Sequence, residues 1–205
     1  MLTIWGRTNS INVQKVLWCC GELGLPYKRI DAGLSFGVNN TPDYLAQNPN
    51  GLVPTIDDDG YVLWESNSIV RYLASRHATG TLCPADPQTR FLAERWMDWQ
   101  LTASVPLGIL YRGLIRTPPE KRDHGAIAAA KRDSETAMKI LDAHLASRDF
   151  VEAGRLTMGD IPIGVIAYRW FGLGNPREAL PNLARYYDRL TERPAYRDGV
   201  MVPLT

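Results

Sequence analysis

Histidine and cysteine are scarce in this chain of 205 residues, with three of each, and the few present do not cluster. Cys19, Cys20 and Cys83 form neither a C-x-x-C pair nor a metal-ligand spacing, and His77, His124 and His144 stand alone. That argues against a zinc site and a disulfide framework, and it suits a reducing compartment. Charge of one sign is also missing. The net charge is +1, with Lys and Arg scattered among Asp and Glu, so composition supports neither a nucleic-acid partner nor an anionic membrane surface. No apolar stretch nears the roughly 20 residues a membrane helix needs. The start, Met1 to Arg7, has no basic segment followed by an apolar run, so no secretory signal is read. The expected setting is cytoplasmic, with no metal. What is present is ordinary globular composition, 45% hydrophobic and 22% charged. The length allows one large domain or two small ones.

The first eighty residues change period repeatedly. Leu2 to Trp5 is a short strand-type run, then Val13, Val16, Leu17, Cys20 and Leu23 recur at helical spacing until Gly24-Leu25-Pro26. Tyr27 to Ile30 reads as a second strand and Gly33 to Asn40 as a loop. Thr41 caps a short helix from Pro42. Val53 to Ile56 and Tyr61 to Leu63 flank Asp57-Asp58-Asp59-Gly60, a hairpin turn signal. Ser66 is the expected cap of a helix burying Ile69, Val70 and Leu73. The order β-α-β-α-β-β-α implies a small mixed sheet with helices packed on it.

Past His77 the strand signals stop. Residues 78–87, with Gly80, Pro84 and Pro87, are the expected linker, separating a domain of residues 1–77 from one of 88–205. In the second, Phe91, Leu92, Trp96, Trp99 and Leu101 predict a long buried helix. Thr117-Pro118-Pro119-Glu120 has the form of a capping box for a helix running to about Leu145. Thr157 and Asp160 are spaced to cap each other's amides, with Pro162 acceptable only in the first turn. A last helix covers Asn182 to Leu190 and stops at Arg193-Pro194.

Three polar features carry chemistry. Thr8-Asn9-Ser10-Ile11-Asn12 lies where a strand turns into a helix, and helix N-termini stabilise anions, a thiolate included. Ser10 and Asn12 are either plain caps there or hydrogen-bond donors to a sulfur. In Asn48-Pro49-Asn50-Gly51-Leu52-Val53-Pro54, the Val53–Pro54 bond is a candidate cis peptide or an ordinary edge proline. Trp64-Glu65-Ser66 opens a helix whose amides and hydroxyl suit a carboxylate, with Glu65 suited to an ammonium; the plain alternative is an ordinary cap. Cys19 and Cys20 read as small buried apolar residues.

Taken in order, the polar turn near residue 10, N-P-x-G-x-V-P near 50, W-E-S near 65 and Leu156-Thr157-Met158-Gly159-Asp160-Ile161 resemble the glutathione S-transferase family over the whole chain. Trp5-Gly6-Arg7 through Val16 is most similar to bacterial members of the theta, beta and nu groupings. The resemblance implies a thioredoxin-like α/β N-terminal domain, an all-α helical-bundle C-terminal domain, a homodimer and a role in detoxification. It also implies glutathione as co-substrate, its cysteinyl backbone on Val53 beside a cis Pro54, and its γ-glutamyl end at Glu65 and Ser66. Its glycine carboxylate would approach Asn39 and Asn40, where no lysine or histidine stands. Ser10 is the implied thiol-activating residue with Asn12 as helper or rival, and Thr8 and Asn9 are close by. Tyr111 and Arg112 are the candidates for a second-substrate site taking a small apolar electrophile. Two alternatives stay open: glutathione-dependent disulfide or peroxide reduction, and a non-catalytic glutathione-transferase-like binding protein.

Overall fold

A computed structural model describes residues 1–174 and 178–205. Four strands, β1 (Leu2–Trp5), β2 (Tyr27–Ile30), β3 (Thr55–Asp58) and β4 (Tyr61–Trp64), form a sheet in the order β2-β1-β3-β4. β1 runs parallel to β2 and antiparallel to β3, with Ile4 opposite Ile56 and Ile56 opposite Leu63. The parallel step needs a crossover, and α1 (Ile11–Leu23) supplies it, stopped by Gly24 in the left-handed conformation at φ 62°. α2 (Pro42–Gln47) starts at Thr41, whose hydroxyl accepts the Tyr44 amide. The hairpin turn is Asp59-Gly60 at φ 52° and 91°, so β3 begins two residues later than the Val53 the sequence predicts and takes in Asp57 and Asp58.

Five of the remaining helices make up the second half after α3 (Ser66–His77): α4 (Pro87–Tyr111), α5 (His124–His144), α6 (Asp160–Gly172), α7 (Pro181–Thr191) and α8 (Pro194–Val200). Several expectations are corrected here. Glu65, at φ 70°, occupies the cap position of α3, and Ser66 is the first helical residue. Thr117 caps nothing, because its hydroxyl donates to the Arg112 carbonyl at 3.0 Å; Asp123 caps α5 by accepting the Ala126 amide at 2.9 Å. The segment after α7 adds α8, since Pro194 at a first helical position begins a helix as readily as it ends one. On α4 the buried face runs through Ala93, Trp96, Met97, Gln100 and Leu107, so Phe91, Leu92 and Leu101 point outward rather than into the core.

α1 lies at the centre and is covered by α3, α6 and α8. Val13 to Cys20 are consequently all buried, Trp18 standing edge-on to Tyr196 at 4.7 Å between ring centres. Gly164 and Gly199 permit this approach: a Cβ at either position would lie under 3.0 Å from Trp18. Cys19 and Cys20 are fully buried, and burial pushes both thiols up, Cys20 to about 12. At the start of α6 the Asp160 carboxylate accepts the amides of Thr157 and Val151, both at 2.8 Å, and hydroxyls from Thr157 and Tyr186. Thr157 does not return the favour to the Asp160 amide, which bonds its main-chain carbonyl instead.

Candidate active site

The turn from β1 into α1 is built around Gly6, where a Cβ would meet Val13 at 2.3 Å. It delivers Ser10 to the cap position of α1. The Ser10 carbonyl accepts the Gln14 amide at 2.9 Å, but its hydroxyl makes no capping bond. Asn12 follows in the first turn, and its side-chain oxygen accepts the Ser66 hydroxyl at 3.3 Å.

Ser10 and Asn12 line a cleft of about 360 Å³ between the first turn of α1, Leu52-Val53 and the end of α4. The peptide bond Val53–Pro54 is cis. Neither the N–H nor the C=O of Val53 has a hydrogen-bond partner among the described residues. An unpaired main-chain pair beside a helix N-terminus is suited to an extended peptide ligand. Asn9, Ser10, Asn12, Val53, Tyr111 and Arg112 are brought together on this cleft, whereas Asn39, Asn40, Pro54, Glu65 and Ser66 are not on its wall. Asn39 instead donates to the Gly51 carbonyl at 2.6 Å, tying down the loop that carries Val53. Asn40 is exposed and makes no side-chain hydrogen bond among the described residues.

Lys15 belongs to the same region and was not singled out by the sequence pattern. Fully buried, its ammonium donates to Gln100 at 2.7 Å, Asn67 at 3.1 Å and Ser66 at 3.3 Å. Burial lowers its pKa to about 7, against the opposing pull of the Glu65 charge. Position 15 lies off the apolar stripe of α1, so only the packing of α3 and α4 reveals its burial. Arg7, Arg116 and Arg169 are further cleft residues that sequence reasoning missed. After Tyr111 the α4 helix widens into a π-turn over Arg112–Arg116, closed by the Thr117 amide on the Arg112 carbonyl at 2.9 Å. Tyr111 itself is buried, its ring covered by the guanidinium of Arg169 at 3.9 Å and that of Arg116 at 5.1 Å. A broader depression of about 610 Å³ exists beside Glu22 and Arg193, but those two charges pair with each other, and none of the three polar motifs reaches it.

Residues 9–76 match the family model described as the N-terminal domain of glutathione S-transferase. The Glutathione S-transferase GstB of Escherichia coli K12 is 47% identical over 209 residues, covering 100% of both chains. The chain belongs to the glutathione S-transferase family. Glutathione S-transferase 3 of Zea mays is more distant, 29% identical over 99% of this chain and 95% of its own. Among solved structures, the theta class glutathione S-transferase of Xanthomonas axonopodis pv. citri, with glutathione bound, superposes with a TM-score of 0.96 at 49% identity. It covers 100% of this chain and 99% of that one. The thioredoxin-like domain and the helix-rich remainder are those of a bacterial transferase.

Proposed function

We infer that this transferase conjugates the glutathione thiolate to a small electrophile, with the sulfur at the first turn of α1. The observation that carries this reading is the uncapped Ser10 hydroxyl, which shares one cleft with the unpaired main chain of Val53. Glutathione lies extended, its cysteinyl backbone on Val53 and its γ-glutamyl end at Glu65 and the free amides opening α3. Residues 1–77 hold the tripeptide and residues 88–205 the electrophile, on either side of the 78–87 linker.

A free thiol has a pKa of about 8.5, so little of it is thiolate at neutral pH. Lowering that value by about two units takes roughly 2.7 kcal/mol of preferential stabilisation of the anion. A hydroxyl bond to a charged acceptor contributes about 1.5–3 kcal/mol and a helix N-terminus about 0.3–1. Ser10 with α1 therefore accounts for the activation. The thiol proton leaves to water, the sulfur forms its bond to carbon, and the leaving group departs with its electron pair. Proximity in the cleft supplies the rest of the acceleration.

The setting we favour is a cytoplasmic homodimer engaged in detoxification. Free buried cysteines are compatible with a reducing compartment, and no helix of the described residues is long and apolar enough to cross a membrane. Leu101, Val105 and Ile109 form an exposed apolar stripe on α4, which supports pairing with a second copy.

Isothermal titration of glutathione at several pH values tests the reading. Binding with proton release near neutral pH is expected. Binding without proton release removes Ser10 from the chemistry, and no binding up to millimolar glutathione favours a non-catalytic role. Parallel rates with an aromatic halide and a small disulfide separate conjugation from disulfide reduction.

A further inference from the structure

We propose that the electrophile is anionic: a small molecule whose reacting carbon is tethered to a carboxylate held by the arginines at the end of α4. The inference rests on the transferase reading and specifies its second substrate. The sequence led to the expectation of an apolar partner, and the cleft wall argues otherwise.

Arg7, Arg112, Arg116 and Arg169 all line the cleft that holds Ser10, and among the described residues no Asp or Glu lines it with them. None of the four pairs with an Asp or Glu side chain among the described residues; Arg116 donates instead to the main-chain oxygen of Thr205. Arg169 is 7% exposed, and its Nε, like that of Arg7, has no hydrogen-bond partner among the described residues. The charges also bear on one another. Burial and the nearby Arg116, Arg7 and Arg112 lower the Arg169 pKa to about 10, and burial with Arg116 lowers that of Arg7. Burying a guanidinium without its counter-ion costs the fold stability, a cost that an arriving anion offsets.

The wall already accepts an oxygen. Arg116 donates from Nε at 3.2 Å and from Nη2 at 3.1 Å to the main-chain oxygen of Thr205, which the Tyr111 hydroxyl also contacts. Both bonds converge on a single oxygen here, and the same two donors can serve the two oxygens of a carboxylate. The cleft, at about 360 Å³, must take the cysteinyl group of glutathione as well, so the electrophile is small. In the step, the thiolate forms a C–S bond while the C–halogen bond breaks, the halide leaving with the electron pair. The carboxylate arm takes no part beyond positioning.

The test compares 4-chloro-3,5-dinitrobenzoate with 4-chloro-3,5-dinitrobenzamide, each kcat/KM divided by the uncatalysed rate with glutathione. A charge-assisted contact predicts a preference for the benzoate of about tenfold or more. The variant R112Q/R116Q is expected to lower that ratio about tenfold. A normalised ratio near one, or a double variant that keeps the wild-type ratio, overturns the proposal. So does a variant whose loss is a raised glutathione KM with both substrates, because the arginines then hold glutathione. As a measurement independent of the variant's folding, unreactive benzoate should inhibit the wild-type enzyme about tenfold more strongly than benzamide, and equal inhibition counts against the anion site. Turnover of 1-chloro-2,4-dinitrobenzene without benzoate preference sinks only the anionic substrate. Failure to turn over any of the three halides sinks the transferase reading with it.

Discussion

The Ser66 hydroxyl donates to the side-chain oxygen of Asn12 at 3.3 Å, joining the first turn of α3 to the first turn of α1. Lys15, which as an ammonium has only donors, bonds Ser66 from the other side at 3.3 Å. The direction of the relay is therefore set: Lys15 gives to Ser66, and Ser66 gives to Asn12. With its oxygen occupied, Asn12, which lines the cleft, keeps only its amide N–H groups for a further partner. The same geometry uses up the Ser66 hydroxyl, so the proposed contact with a glutathione carboxylate falls to that residue's backbone amide.

Ser10→Ala is expected to raise the pKa of bound glutathione by about one unit and to slow conjugation about fivefold near pH 6.5. The KM for glutathione should change less than twofold, since the hydroxyl acts on the anion and not on the peptide. Thiolate absorbance titrated against pH reads this directly. An unaltered titration would transfer the role to Asn12 or Asn9.

Glu65→Gln removes the charge proposed to face the ammonium of the γ-glutamyl end. A rise of about tenfold in the glutathione KM, with a smaller effect on kcat, is expected from losing one charged hydrogen bond. Steady-state kinetics at fixed electrophile decide it, and an unchanged KM means the ammonium lies elsewhere.

Lys15 makes stability depend on pH. Its pKa is about 7 in the folded chain and about 10.4 once unfolded. Between those values the unfolded chain binds a proton that the folded chain does not, so stability rises with pH, by at most about 1.36 kcal/mol per unit. Below pH 7 both states are protonated, and the full cost of the buried charge is present. Urea unfolding at pH 7 and 9 should show wild type gaining about 2 kcal/mol relative to K15M. No change in that difference would mean that Lys15 stays charged throughout.

Asp160→Ala leaves the buried amides of Val151 and Thr157 without an acceptor. A loss of about 3 kcal/mol is expected, since each unsatisfied group costs about 1–3. The urea midpoint should fall while the glutathione KM of the remaining folded protein holds. A loss under about 1 kcal/mol would show that other groups take over both amides.

Much of the fold was legible because local rules govern it. Gly24 and the Thr41-Pro42 cap mark the end of α1 and the start of α2, and the apolar period marks the body of α1. The capping box at Thr117 misled because the same residues also suit a turn, and the carbonyl of Arg112, which accepts the Thr117 amide to close the π-turn, takes the hydroxyl as well. Phe91, Leu92 and Leu101 misled because apolar content does not say which face of a helix meets the core. Of the cleft, the stretches at residues 9–12 and 53 were found through backbone punctuation. Lys15 and the arginines other than Arg112 were not, since an isolated basic residue in a helix reads as solvated until its neighbours are known.

The sequence by itself determined the order of elements over residues 1–77, the helical character of the second half and the family. Hydrophobic period, turn chemistry and motif spacing are properties of neighbouring residues, and the chain carries them before it folds. Only the tertiary structure decided that Arg7, Arg112, Arg116 and Arg169 share one cleft and that a lysine is enclosed among three side-chain acceptors. Those are relations among residues up to 162 positions apart, and the energies involved, desolvation and like-charge proximity, exist only once packing has removed the water between them.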